Sequence, residues 1–398
     1  MKTKMQMTRL IFTLLLTLTM VLYLDHTSSY VSAEERELKI GVVSPLSGGG
    51  MAWGYATLSG LEIAMDDVNK AGGLKVGNTV YTLKAIPRDS KYLADVAITA
   101  AKRIIYEDKV KIIFGSIGSA EGLATQGITE PNKILLTPVG VFTSRLLGPD
   151  KPYTFRFILT NVEFFPFLLE YYRERWPNAK KIAYLYPNDE TGQEAFKWMR
   201  KYAGNQGFEA IGFPWERGTP DLSPVVTKAL MANVDLMDLG VTPPGDAGQF
   251  VNILRDMGWR KQIVKTGGSA AHDLIRLCGK NADGIIYFED GDFSQPKAAF
   301  LAERFKEKKY PGIANTVMVP AYDGAMILFK SIQKAGTVDD TTRIKEALES
   351  LGTYEGIQGP VRWGGKENYG IDHQIYRPLN IGEITDGKPK TVIVKYPK

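Results

Sequence analysis

The chain has 398 residues, with 49 Lys and Arg against 44 Asp and Glu, three His and one Cys, Cys278. One cysteine excludes an internal disulfide framework and a cysteine-rich metal domain. A net charge of +5 with scattered lysines excludes a nucleic-acid binder, so no nucleic-acid partner is expected.

Lys2, Lys4 and Arg9 precede an apolar run from Leu10 to Leu24, and Val31-Ser32-Ala33 follow a short polar stretch. This is the layout of a secretory signal peptide over residues 1–33, cleaved after Ala33. The run is too short for the ~20 residues that span a bilayer. No cysteine follows it, so no lipid anchor is expected, and about 365 residues remain, enough for two ordinary domains.

From there strand and helix patterns alternate. The spacing predicts a strand at 38–43, a helix at 58–69 stopped by the glycines of AGGLK, a strand at 79–86, a helix at 95–107 and a strand at 110–114. A Gly-Ser loop at 115–122 leads to a helix near 120–129 and a strand at 134–139. After Thr160 the pattern restarts, with helices at 163–175, 192–203, 222–232, 249–257 and 271–278. Strands at 181–186, 208–213, 234–240, 262–265 and 284–288 lie between and after them. The tail is β in character at 374–384 and 391–396, around an Asp386-Gly387 turn. Tyr322-Asp323 read as a helix start, with a hinge-adjacent position as the alternative. Such alternation implies right-handed βαβ units, and two sets of them imply an α/β protein of two similar doubly wound parallel-sheet lobes. Ligands of such sheets sit beyond the carboxyl ends of the strands, at loops 44–55, 115–122, 137–142, 186–192, 240–248 and 266–272.

Each loop can be tested against a chemistry. The stretch GSIGSAEG at 115–122 lacks the Lys-Ser or Lys-Thr of a phosphate loop. The glycines from Gly48 to Gly54 miss the dinucleotide spacing by one residue, so no cofactor is expected. Ser269 in Gly267-Gly268-Ser269-Ala270-Ala271 resembles a hydrolase nucleophile. His272 and Asp273 follow it on the same helix start and cannot oppose it, so a helix-capping Ser269 is the plainer reading and no catalytic residue is assigned. His272 and His373 are far apart, so no metal site is expected, and His373 reads as structural. Ser119, at the start of the helix after 110–114, can hold a carboxylate with backbone N–H groups and the helix dipole, or can merely cap its helix.

The stretches IGVVSPLSGGGMAWG, GLEIAMDDVNKAGGLK, FGSIGSAEGLA, ILLTPVG, KIAYLYPNDETG and GPVRWGG, spread from Glu37 to the C-terminus, resemble periplasmic binding proteins of the leucine/isoleucine/valine family, the type I solute receptors of ABC importers. The resemblance implies lobes of residues 34–158 plus 286–359 and 159–285 plus 360–398, joined by a multi-strand hinge. It also implies a periplasmic location, a monomer, membrane permease subunits as partners, and capture of a small carboxylate by lobe closure. Trp53 corresponds to the aromatic covering the ligand side chain, Ser119 to the carboxylate-binding serine, and Val139, Gly140 and Val141 to the segment whose backbone meets the ligand. Thr191 and Thr242 fall where the family has cleft tyrosines, and Gly267 where amino-acid binders place a glutamate for the ligand's ammonium. Val141 in place of a threonine and Gly267 in place of the glutamate favour a ligand without an α-amino group, such as an aromatic or branched organic acid. Asp189, Glu190, Asp246 or Glu289 is the alternative counter-charge. A sensing module of a signalling receptor is the other use of this fold.

Overall fold

The computed structural model describes residues 35–397, and the expected signal peptide lies outside them. The first sheet contains β1 (Glu35–Ser44), β2 (Leu74–Val76), β3 (Thr79–Asp89), β4 (Ile112–Gly115) and β5 (Leu135–Thr137), in the order β2-β3-β1-β4-β5. All neighbours are parallel except β2 on β3. Ile40, Val42 and Val43 of β1 and every residue of β4 are buried, as central parallel strands covered on both faces require. Helices α1 (Met51–Lys70), α2 (Ala94–Lys102) and α3 (Ser119–Thr129) make the crossovers.

Helix α1 starts at Met51, about two turns before the expected residue 58. The glycine-rich stretch ahead of residue 58 reads as loop, but Gly54 is in the helix because it crosses Pro45 closely. A Cβ at Gly54 would lie 1.7 Å from the Pro45 carbonyl oxygen. That close approach fixes the first turn of α1 and sets Trp53 on it.

The second sheet has the order β15-β14-β10-β9-β8-β6-β7. Its parallel strands are β6 (Lys181–Pro187), β7 (Glu209–Trp215), β8 (Leu236–Asp238), β9 (Ile263–Lys265) and β10 (Ile286–Glu289). Helices α4 (Asn161–Arg175), α5 (Glu190–Asn205), α6 (Ser223–Met231), α7 (Pro244–Asp256) and α8 (Ala271–Cys278) accompany them. Helix α4 is started by a capping box: the Thr160 hydroxyl accepts from the Val162 N–H while the Glu163 carboxylate accepts the Thr160 N–H at 2.8 Å.

Beyond β10 the chain returns to the first lobe through α9 (Pro296–Glu307), α10 (Met318–Ala335) and α11 (Thr341–Glu349). Helices α9 and α10 both lie against α1, with Arg304 of α9 paired to Asp66 at 3.2 Å and to Asp67. Tyr322 and Asp323 therefore lie inside a helix rather than at its start. A small sheet of β11 (Thr353–Gly356), β12 (Gly359–Gly364) and β13 (Gln374–Tyr376) follows, with the short α12 (Lys366–Tyr369) between its last two strands. Strands β14 (Leu379–Thr385) and β15 (Lys388–Lys395) then close the second sheet, antiparallel.

Two expected lobe boundaries shift. Strand β10 pairs with β9 and β14, so the return to the first lobe comes after Glu289 rather than at 286. Residues 360–376 belong to the small sheet, and only the chain from β14 onward rejoins the second lobe. A four-residue apolar run does not disclose which sheet it will join.

Candidate ligand-binding cleft

The carboxyl ends of both sheets face each other, and a narrow apolar cavity, part of it open to solvent, lies between them. Trp53, Tyr92, Ile117, Val139, Gly140, Phe142, Ile158 and Val317 line it from the first lobe and the crossover, and Thr191, Val241 and Gly268 from the second. No acidic or basic side chain is among them. Trp53 also spans the lobes: its Nε1 donates to the Ser269 carbonyl at 3.1 Å, and a Cβ on Gly268 would come within 2.6 Å of its ring.

Of the residues singled out in the sequence, Trp53, Val139, Gly140 and Thr191 line this cavity, and Ser119, Val141, Thr242 and Gly267 do not. Ser119 is fully buried, with its N–H donated to the Thr191 Oγ1 at 3.0 Å and its hydroxyl accepting the Thr143 N–H at 3.2 Å. The two N–H groups before it, on Ile117 and Gly118, go to the Glu121 Oε1 at 2.6 and 2.8 Å. In this closed arrangement protein groups occupy the carboxylate cradle expected at the start of α3. The Val141 side chain turns toward Gly122 of α3, and the Thr242 hydroxyl donates to the Leu185 carbonyl at 3.5 Å. At Gly267 a Cβ would meet Val241 at 3.0 Å, Phe164 at 3.2 Å and Phe142 at 3.3 Å. Apolar side chains fill the space into which an acid would project.

Three of the four alternative counter-charges are engaged elsewhere. Asp189 caps α5 by accepting the Gly192 N–H at 3.0 Å and pairs with Arg217. Glu190 pairs with Arg145 at 2.7 Å and accepts from Thr143 at 3.3 Å, both across the lobe boundary. Asp246 lies in the first turn of α7, and burial raises its pKa despite nearby Arg217. Glu289 accepts the Ala270 and Ala271 N–H groups at 3.0 and 2.8 Å, so it caps α8 in place of the expected Ser269. The Ser269 hydroxyl instead donates to Asp290 at 2.9 Å, and His272 lies against the Phe293 ring. His373 is buried, bonded to the Thr154 carbonyl at 3.0 Å and stacked on Phe155, as a structural histidine would be. Among the described residues no group of His, Cys, Asp or Glu is placed to hold a metal ion, and no helix is long and apolar enough to cross a membrane.

Two buried cations hold the cleft loops from behind. Arg156 donates to the Val141 and Thr143 carbonyls at 3.1 and 2.8 Å and to the Gln374 Oε1 at 2.6 Å. Lys265, at the end of β9, donates to the carbonyls of Gly240 at 2.8 Å, Gly268 at 3.1 Å and Gly267. Burial pulls the Lys265 pKa down to about 7, partly offset by Asp238, Glu289 and Asp290. Burial likewise pushes Asp238 up to about 6 and Asp290 up to about 7. These cations, with Tyr92, Ile158 and Val317, are what sequence reasoning missed. The signal for the cations was a single charge inside an otherwise apolar strand-like run, TFRFIL and IVK.

A two-lobed α/β molecule with an apolar interlobe cavity has the architecture of a solute receptor. The periplasmic binding protein family model matches residues 37–389. The chain belongs to that family, the type I receptors of ABC importers. A Leu/Ile/Val-binding protein homologue from Brucella melitensis is 24% identical over 331 residues, 81% of this chain and 86% of its own length. LivJ from Streptococcus pneumoniae, solved in complex with isoleucine, superposes with a TM-score of 0.77 at 20% identity, covering 91% of this chain and 100% of that one. A solute-binding protein from Rhodopseudomonas palustris in complex with 3,4-dihydroxybenzoic acid gives 0.75 at 19% identity, covering 91% and 98%.

Proposed function

We propose that the protein is an exported receptor that captures a small apolar carboxylic acid lacking an α-amino group, and delivers it to an ABC permease. The observation that carries this reading is the cavity wall, in which no carboxylate side chain stands ready for an ammonium. A buried, unpaired ammonium costs several kcal/mol, more than one apolar contact returns. Of the four nearby acids, Asp189 and Glu289 cap helices, Asp189 and Glu190 pair with Arg217 and Arg145, and burial opposes ionisation of Asp246. The fold itself accommodates both chemistries, since one similar receptor holds isoleucine and another an aromatic acid.

Trp53 covers the apolar body, Val139 and Gly140 present backbone to it, and Thr191 reaches it from the second lobe. When the lobes part, Thr191 leaves with the second lobe and frees the Ser119 N–H at the start of α3 for the entering carboxylate. Closure then brings Trp53 against Gly268 and Ser269, and the closed form is what the permease distinguishes.

Thermal-shift screening of the mature protein against branched-chain amino acids, aliphatic acids and benzoate-type acids tests the reading. A ligand at a hundred times its Kd stabilises by about 2.7 kcal/mol, which a melting curve resolves. Organic acids are expected to raise the Tm and leucine to leave it unchanged. A Tm raised by leucine alone would refute the assignment.

A further inference from the structure

A second pocket adjoins the apolar cavity at the outer edge of the cleft, and the two share Tyr92 and Thr191. Its wall includes Gly118, Ala120 and Glu121 at the start of α3 on the first lobe, and Asp189, Glu216 and Arg217 on the second. The Arg217 guanidinium lies over the Tyr92 ring at 4.5 Å, so it crosses the lobe boundary. Its Nε is taken by Asp189, while Nη1 and Nη2 are buried and meet no acceptor. A buried guanidinium with two idle nitrogens is an exception to the rule that buried donors are paired.

We infer that Arg217 is the second lobe's carboxylate-recognising group, receiving the ligand's anionic head end-on at Nη1 and Nη2 as the lobes close. This rests on the proposed function above and adds the ligand's orientation, with the apolar body toward Trp53 and the carboxylate toward the outer edge. The geometry fits the fork of a guanidinium, whose two terminal nitrogens match the two oxygens of a carboxylate. Three acids share the pocket wall with Arg217: Asp189 is paired with Arg217 itself, Glu216 accepts the Asn188 amide at 2.7 Å, and burial opposes ionisation of Glu121. On the first lobe a carboxylate arriving at the α3 start meets the Ser119 N–H, beside the Glu121 carboxyl that already holds the Ile117 and Gly118 N–H groups, so the counter-charge that favours closure comes from the second.

Calorimetric titration with 4-methylpentanoate and benzoate, and with the corresponding neutral amides, tests the assignment in three variants. Arg217→Met is expected to weaken the acids about 10- to 100-fold and leave the amides unchanged. Arg217→Lys, which keeps the charge but not the fork, is expected to recover part of that loss. Asp189→Asn, which still caps α5, is expected to tighten the acids several-fold by leaving Arg217 unopposed. Acid affinity unchanged in Arg217→Met would overturn the assignment while leaving the cleft receptor intact. Equal losses for acid and amide would overturn it too, because they would make Arg217 a closure contact through Tyr92. If the wild-type protein binds neither acid, the proposed function falls and this inference with it.

Discussion

The two lobes present their loops to the cleft on different foundations. The first-lobe segment 139–143 hangs from Arg156, whose fork reaches two of its carbonyls and the crossover residue Gln374. The second-lobe segment 266–268 rests on Lys265, a single ammonium shared among three carbonyls and surrounded by Asp238, Glu289 and Asp290. A guanidinium stays charged at any accessible pH and is geometrically fixed, whereas a buried ammonium titrates. The first-lobe wall of the cleft is therefore constant, and the second-lobe wall depends on a cluster that changes charge near neutrality.

Removing the rigid foundation has the largest expected effect. Arg156→Met leaves the Val141 and Thr143 carbonyls and Gln374 without their donor, and chemical denaturation is expected to show a loss of about 3–5 kcal/mol. A loss under 1 kcal/mol would mean that the segment holds its shape without the guanidinium.

Lys265→Met comes next, at roughly 2–4 kcal/mol, because it strands buried acids without a cation. Its pH dependence separates the two foundations. Between about 7 and the ordinary 10.5, the folded protein has shed a proton from Lys265 that the unfolded chain keeps, so this group's contribution makes stability rise with pH. Asp238 and Asp290 act the other way. Between 3.8 and about 6 or 7 the folded chain holds protons that the unfolded chain releases, so their contribution makes stability fall as pH rises. The combined contribution of these three groups is therefore lowest near pH 7, and the part of the rise above it that Lys265 supplies should vanish in Lys265→Met. Arg156→Met should keep that rise.

A smaller effect of opposite sign is expected from Asp290→Asn. One oxygen of this buried carboxyl meets no donor, and the change removes a charge that burial opposes. Melting at pH 8 should show a gain of about 1–2 kcal/mol. A net loss would mean that attraction to Arg377 outweighs burial.

Thr191→Val tests the contact between the lobes together with the second lobe's reach to the ligand. It deletes the acceptor for the Ser119 N–H and is expected to change ligand affinity only a few-fold, about 1 kcal/mol, with stability nearly unchanged. A large change in stability instead would make Thr191 part of one lobe's fold.

The alternation of strands and helices through residue 288 was legible because buried parallel strands and amphipathic helices have distinct periods. The start of α1 was not, since glycines that permit close packing look the same as glycines in a loop. Helices α9, α10 and α11, which complete the first lobe, went unassigned apart from the hint at Tyr322. In the cleft, Trp53, Val139, Gly140 and Thr191 could be named because their positions follow the family's pattern. Ser119 could also be named, but not that Glu121 and Thr191 satisfy the N–H groups around it. Arg156 reaches Gln374 and Arg217 reaches Asp189 and Tyr92 across tens to hundreds of residues, and no local pattern encodes such partners.

The most direct measurement is paired calorimetry on the mature protein, comparing each acid with its α-amino counterpart: 4-methylpentanoate against leucine, and 3-phenylpropanoate against phenylalanine. Each pair shares one apolar body, so the difference isolates the ammonium. At least one deamino acid is expected to bind, about 100-fold or more tighter than its amino partner, since the unpaired ammonium costs several kcal/mol. Amino acids binding as tightly as their deamino partners would contradict a cleft built without a counter-charge.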